Sequence, residues 1–118
     1  MLIKVLKSKI HRARVTACEL QYEGSITIDE DLLEAAGLVP GEAVLVSNLN
    51  NGSRQETYVM AGPRGSGTVC LNGASARLAN VGDTIIIMGF GYFEPGDLAR
   101  HVPRKIVVDE KNRIQRGP

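Results

Sequence analysis

A chain of 118 residues, 43% of them hydrophobic and 23% charged, has the composition of one globular domain that buries roughly two-thirds of its unfolded surface around a single core. Two Phe, three Tyr and no Trp make that core aliphatic, and a net charge of +1 argues against a protein that holds nucleic acid by bulk charge. The longest apolar run, Val81 to Phe93, is broken by Gly82, Asp83 and two further glycines, and Lys4, Lys7 and Lys9 interrupt any signal peptide, so a cytoplasmic protein with no membrane partner is expected.

Residues 2–8 and 12–17 read as two short β segments, with Val5, Val15 and Ala17 alternating against charged neighbours, and Leu20 to Ile28 continues in the same style. Asp29 then caps a two-turn helix with acids in its first turn, an apolar stripe of Leu32, Leu33 and Ala36, and Gly37 as its stop. Pro40-Gly41 makes a turn, Ala43 to Leu49 a strand, Asn51-Gly52 a two-residue hairpin, and Glu56 to Ala61 the returning strand. A Gly-rich connection over 62–67 leads to a short strand, Thr68 to Leu71, after which Asn72-Gly73 turns the chain into a small Ala-rich helix over 74–79. Thr84 to Met88 is the clearest buried strand. Asp97 to His101 forms one more turn, Lys105 to Val108 another strand, and 109–118 is a polar tail that need not be ordered. Many short strands joined by brief helices suggest a small barrel rather than a parallel α/β sheet, which needs longer crossovers.

The residues that carry chemistry are few. Cys18 and Cys70 lack metal-ligand spacing and read as reduced, partly buried small hydrophobes; His11 and His101 are too few and too separated for a metal cluster, so no metal is expected. Charge is segregated: residues 1–16 hold Lys4, Lys7, Lys9, Arg12 and Arg14 with no acid, whereas 17–45 hold acids with no base. Gly24-Ser25 stands apart. Such a pair is usually a turn, yet a serine hydroxyl next to a glycine carbonyl can also cut its own peptide bond by an N-to-O acyl shift followed by β-elimination, leaving a ketone once the new end is hydrolysed.

Lys9-Ile10-His11-Arg12, Tyr22-Glu23-Gly24-Ser25, Asn51-Gly52 followed by Arg54, Thr57-Tyr58 and Asn72-Gly73-Ala74, taken together, closely resemble in order and spacing the pyruvoyl-dependent aspartate 1-decarboxylases, over residues 1 to about 95. The resemblance implies a mainly β fold, a small six-stranded double-psi β-barrel with short helices, as a single domain over 1–118. It further implies a proenzyme cut between Gly24 and Ser25 into a β chain, 1–24, and an α chain, 25–118, with Ser25 becoming a covalent pyruvoyl group that replaces pyridoxal phosphate. L-Aspartate would be converted through a Schiff base with that group to β-alanine and carbon dioxide, feeding pantothenate and coenzyme A synthesis, at sites between neighbouring subunits of a homotetramer.

By the same resemblance Tyr58 is the proton donor, Thr57 the donor that assists cleavage at Gly24 and Ser25, and Lys9, His11, Arg54, Thr57, Asn72, Gly73, Ala74 and Ser75 line the substrate pocket. Their chemistry suits two carboxylates: Arg54 can grip one through paired hydrogen bonds, Lys9 offers a less directional charge, His11 can orient a carboxylate or the cut end, and the amides of Gly73 and Ala74 can form an anion nest. On local pattern alone Thr57 and Tyr58 also read as ordinary strand residues, and Asn72 as a turn former. Ser75 stands where alanine is expected and Ser47 where some relatives carry an aromatic residue, which bears on the shape of the pocket.

Energetics favour slow maturation, with room for a maturation factor. One cutting event per hour corresponds to a barrier of about 22 kcal/mol, against which backbone strain of roughly 1–3 kcal/mol gains only about 5- to 150-fold, while a well-aimed oxyanion donor gains roughly 3–4 kcal/mol. A competing reading belongs to another class: Asp31 to Glu42 resembles the helix–turn–strand of swapped-hairpin transcription regulators, whose basic first strands would contact DNA phosphates. Such a regulator has no use for Gly24-Ser25 together with Thr57-Tyr58 and Asn72-Gly73-Ala74.

Overall fold

In the computed structural model, which describes residues 1–118, the first strand is β1, Ile3–Arg14, a single strand where the alternation suggested two. Its pairing slips between Leu6 and Ser8 and again between Ile10 and Ala13, with Arg12 at φ 67°, and these bulges interrupt the period that marks a continuous strand. A short β2, Ala17–Glu19, follows, and the chain leaves the sheet over 20–25 before re-entering as β3, Ile26–Asp29, so the expected strand over 20–28 is confined to its last residues.

Asp29 is buried and caps helix α1, Glu30–Ala36, by accepting the Asp31 amide at 2.8 Å; Gly37 closes the helix at φ 70°. The same carboxylate accepts the amides of Gly65 and Gly67 at 3.0 and 2.9 Å, which ties the Gly-rich connection to the helix start. Strands β4, Ala43–Asn48, and β5, Arg54–Gly62, form the expected hairpin, but the connection spans 49–53 rather than the two residues Asn51-Gly52, because Asn48 pairs with Ser53 and its carbonyl accepts the Gly52 amide. After β6, Val69–Asn72, the expected Ala-rich helix is a 3-10 turn, Gly73–Leu78. Next comes β7, Thr84–Phe93, which continues past the expected end at Met88 because β1 pairs along it as far as Ile3 opposite Phe93. A second 3-10 turn, Pro95–Arg100, leads to β8, Arg104–Val108, and β9, Ile114–Arg116.

The nine strands run in the order β2-β6-β3-β5-β4-β7-β1-β8-β9. Three neighbouring pairs are parallel, β1 with β8, β2 with β6 and β3 with β5, and the others antiparallel. The fold is therefore mainly β, as expected, with nine strands where six were anticipated. Nineteen buried aliphatic residues form one core, in which Ile10, Ile26, Ile28, Leu71, Ile85, Ile87 and Ile106 are wholly inaccessible. Burying each such side chain contributes about 1.5–3 kcal/mol.

The tail differs from expectation. Residues 109–118 turn back and add β9 to the sheet edge. Asn112, only 2% exposed, accepts the Arg14 amide at 2.8 Å and donates to the carbonyls of Arg14 and Gly67 at 2.9 and 2.8 Å. One side chain thus joins the tail to both β1 and the Gly-rich connection. Asn112→Ala leaves two carbonyls and an amide without partners and is expected to lower stability by about 1–3 kcal/mol, read as a fall in the urea midpoint; an unchanged midpoint would show that the tail is not fastened in this way.

Candidate active site

Strands β3 and β6 are antiparallel, with Ile26 opposite Leu71, Thr27 opposite Cys70 and Ile28 opposite Val69. Strand alternation sends Ile26, Ile28, Val69 and Leu71 into the core, and sends Ser25, Thr27, Cys70 and Asn72 to the opposite face. Those four meet in one hydrogen-bonded group. Asn72 Nδ2 donates to Ser25 Oγ at 3.0 Å and to Thr27 Oγ1 at 2.9 Å, the Cys70 thiol donates to Asn72 Oδ1 at 3.3 Å, and the Asn72 amide donates to the Ser25 carbonyl at 2.9 Å. Ser25, Asn72 and Cys70 are buried, with 4%, 3% and 8% of their surfaces exposed.

The backbone at Gly24-Ser25 is unusual. Gly24 has φ 70° and Ser25 φ 90°, the latter a left-handed conformation that costs a residue with a Cβ about 1–3 kcal/mol. Gly73, itself at φ 63°, lies directly beneath: a Cβ there would come within 2.4 Å of the Gly24 nitrogen and 2.7 Å of the Tyr22 carbonyl oxygen. On the other side the Tyr58 hydroxyl donates to the Glu23 carbonyl at 3.3 Å. The segment 22–25 is therefore held by a side-chain amide, a glycine floor and a phenol.

Other residues singled out in the sequence are distributed around this group. Thr57 follows the opposite parity of β5 from Tyr58, half-buried beside Gln55 and Val59, and the side chain that donates to Ser25 is Asn72 rather than Thr57. Ser75 is buried, with its carbonyl accepting from Gln55 Nε2 at 3.2 Å, while Ala74 is exposed. Lys9 and Arg54 line a separate pocket of about 410 Å3 with Ser47, which accepts from Arg54 at 3.1 Å. That pocket does not include Ser25, Tyr58 or Asn72.

Lys9 also borders a second, basic pocket of about 340 Å3 lined by His11, Lys105 and Arg116, with no acid among its residues. Burial lowers the His11 pKa from its ordinary value, and the charges of Lys9, Arg12 and Arg116 lower it further. Thr27 and Cys70 were not anticipated in the site. Only their position opposite Asn72 and Ser25 in the strand register identifies them, and register is not visible in either segment alone.

Residues 1–115 match the family model described as aspartate decarboxylase. The chain belongs to that family. Among relatives named aspartate 1-decarboxylase, the protein of Caldicellulosiruptor saccharolyticus is 58% identical over 97% of this chain and 89% of its own length, and that of Lactiplantibacillus plantarum is 55% identical over 97% and 88%. The Leptospira biflexa protein is 55% identical over 99% of this chain and all of its own. A solved structure of the computationally designed msDPBB_sym2 protein covers 74% of this chain and 99% of its own at a TM-score of 0.46 and 20% identity, a likeness too loose to bear weight. No helix in the structure is long and apolar enough to cross a membrane.

The close approach beneath Gly24 can be tested directly. Gly73→Ala must push the 22–24 segment aside and also hold alanine at positive φ, at a cost of about 1–2 kcal/mol or more; the expected result is a lower urea midpoint, and an unchanged midpoint contradicts the close approach. For His11, the C2-proton resonance should titrate with a midpoint below the ordinary 6.5. Because its folded-state pKa is depressed, the unfolded chain binds the proton more readily, so this group costs stability as pH falls below 6.5. A midpoint at or above 6.5 would contradict the half-buried, cation-flanked setting.

Proposed function

We propose that this chain is an aspartate 1-decarboxylase that cuts itself between Gly24 and Ser25 and converts L-aspartate to β-alanine and carbon dioxide with a pyruvoyl group made from Ser25. The observation that carries the proposal is the Gly24-Ser25 turn, with both residues at positive φ and the buried Ser25 hydroxyl gripped by Asn72. A surface turn needs neither feature.

Self-cleavage follows from groups within hydrogen-bonding reach. Ser25 Oγ attacks the Gly24 carbonyl carbon, a carbon–oxygen bond forms as the peptide carbon–nitrogen bond breaks, and the hydroxyl proton ends on the freed Ser25 amine. β-Elimination then removes the Ser25 α-proton, expels the Gly24 carboxylate and leaves a dehydroalanine end. Water displaces ammonia from that end to leave the ketone. Glycine at 24 keeps the carbonyl face open to the hydroxyl, and strain at Ser25 alone is too small to set the rate. Asn72 Nδ2 is the side-chain donor that reaches Ser25 Oγ, and Thr57 is the further candidate donor on the neighbouring strand. A maturation factor is consistent with a barrier that strain and one donor lower only in part.

The residues around Ser25 fit a small covalent carbonyl: a buried attachment point, donors from Asn72, and backbone brought close by Gly73. Such a carbonyl supplies the electron sink for loss of the α-carboxylate, so the chain needs neither pyridoxal phosphate nor a metal. Tyr58, whose hydroxyl donates to the Glu23 carbonyl beside the cut, delivers a proton to the carbon that loses the carboxylate, a role its reach to this segment supports. Arg54 and Lys9 supply cations for the carboxylates of the substrate, His11 shares the second pocket with Lys9, and the backbone amides of Gly73 and Ala74, followed by Ser75, offer further donors. Since one chain does not bring Lys9 and Arg54 into the same pocket as Ser25, a homotetramer with sites shared between subunits completes the constellation. A cytoplasmic role supplying β-alanine for pantothenate synthesis accords with that product.

Intact mass spectrometry tests the first step: two fragments should appear, residues 1–24 and a larger piece lighter by one ammonia than a serine-started chain and reactive toward hydroxylamine, and Ser25→Ala should remain whole. A parent chain that stays whole after prolonged warming overturns the proposal. Tyr58→Phe should still cut but release labelled carbon dioxide from L-aspartate about 10²- to 10⁴-fold more slowly; parental turnover would remove Tyr58 from the proton-transfer role.

A further inference from the structure

The thiol of Cys70 has a place in this site that its burial alone does not explain. Cys70 is 8% exposed yet lies outside the aliphatic core, because on β6 it points the opposite way from Val69 and Leu71. Cys18, on the adjacent strand β2, pairs in register with Leu71 and packs against the core, so strand alternation puts the two sulfurs on opposite faces of the sheet and they do not form a disulfide. What Cys70 meets instead is Asn72 Oδ1, at 3.3 Å, with the Leu71 carbonyl the weaker acceptor at 3.9 Å.

A side-chain amide can be turned either way about its last bond, with its oxygen and nitrogen exchanged. Ser25 and Thr27 do not decide between the two, since a hydroxyl donates or accepts equally well. A protonated thiol does decide, because its hydrogen needs an acceptor and the amide oxygen is one. We infer that Cys70 is a positioning residue for maturation: its S–H fixes the orientation of the Asn72 amide so that Nδ2 faces Ser25 Oγ. Burial pushes the thiol pKa up, and the nearby Glu19 and Cys18 push it the same way, so the hydrogen stays on sulfur at neutral pH.

The orientation matters to the chemistry. With Nδ2 toward it, the Ser25 oxygen accepts a hydrogen bond and its own hydrogen remains free to leave as the oxygen attacks Gly24. With the amide reversed, that hydrogen would be held on an amide oxygen, which is far too weak a base to take it. Cys70 touches neither the scissile bond nor a substrate and acts only through Asn72.

The inference rests on the proposed self-cleavage, and the test separates the two. Purified precursors of the parent, Cys70→Ser, Cys70→Ala and Cys70→Val are followed by intact mass as they cut. Serine retains a donor, whereas alanine and valine do not, valine keeping most of the volume. Cys70→Ser should cut at about the parental rate and the other two roughly three- to tenfold more slowly, the scale of one lost hydrogen bond. In an Asn72→Ala background, Cys70→Val should produce no further slowing. Equal rates for serine and valine at position 70, whether fast or slow, overturn the inference, as does undiminished slowing by Cys70→Val when Asn72 is absent. A parent that never cuts defeats self-cleavage itself, and the role of Cys70 with it.

Discussion

The register between β3 and β6 is the constraint on which the site depends. Ile26, Ile28, Val69 and Leu71 are all wholly inaccessible, so slipping either strand by one residue would bring two of these apolar side chains out of the core and drive two polar ones into it, Ser25 and Thr27 on the β3 side or Cys70 and Asn72 on β6. With about 1.5–3 kcal/mol at stake for each large apolar residue and a further penalty for each polar one, the slipped pairing is out of reach for a domain of marginal stability. The same pairing sets Asn72 across from Ser25. The core and the polar group are thus two faces of one decision about register.

That pairing also explains how an unfavourable backbone is sustained. Ser25 at φ 90° would relax if only its own preferences counted. It is held instead by the Asn72 amide on its carbonyl, by Asn72 Nδ2 on its hydroxyl and by Gly73 against its predecessor. Each of the two hydrogen bonds contributes about 0.5–1.5 kcal/mol, so together they match a strain of roughly 1–3 kcal/mol. Their value to chemistry lies less in the strain than in placement, since a hydroxyl fixed beside a carbonyl has lost the freedom that makes such attacks slow in a mobile chain.

Sequence alone disclosed those parts of the molecule that obey a short period or a local rule. The helix capped by Asp29 and stopped by Gly37, the Asn51-Gly52 hairpin and the strand starting at Thr84 each depend on neighbours a few residues apart. Features that depend on distant partners were hidden. The bulges of β1 are imposed by β7 and disguise one strand as two. Asn112 reads as a loop residue until its three hydrogen bonds to Arg14 and Gly67 are seen, which is why the tail looked dispensable. Gly24-Ser25 and Asn72-Gly73 were conspicuous as motifs, whereas Thr27 and Cys70, ordinary strand residues by composition, enter the site only through register.

The placement of charge divides the proposed functions of the chain between two levels of structure. Gly24, Ser25, Asn72 and Gly73, the groups around the proposed cut, are already assembled inside one chain. The cations invoked for substrate are not: Arg54 and Lys9 share a pocket with Ser47, and His11 one with Lys105 and Arg116, apart from Ser25 in both cases. Meanwhile the surface near the buried serine carries half-exposed or exposed Tyr22, Tyr58 and Met60, apolar area of the kind that association covers. On the proposed function, cutting is a property of the single folded chain and turnover a property of the assembly. On the same proposal, an electrophile made inside each subunit meets its substrate only where a second subunit brings the positive charge that a doubly anionic amino acid requires.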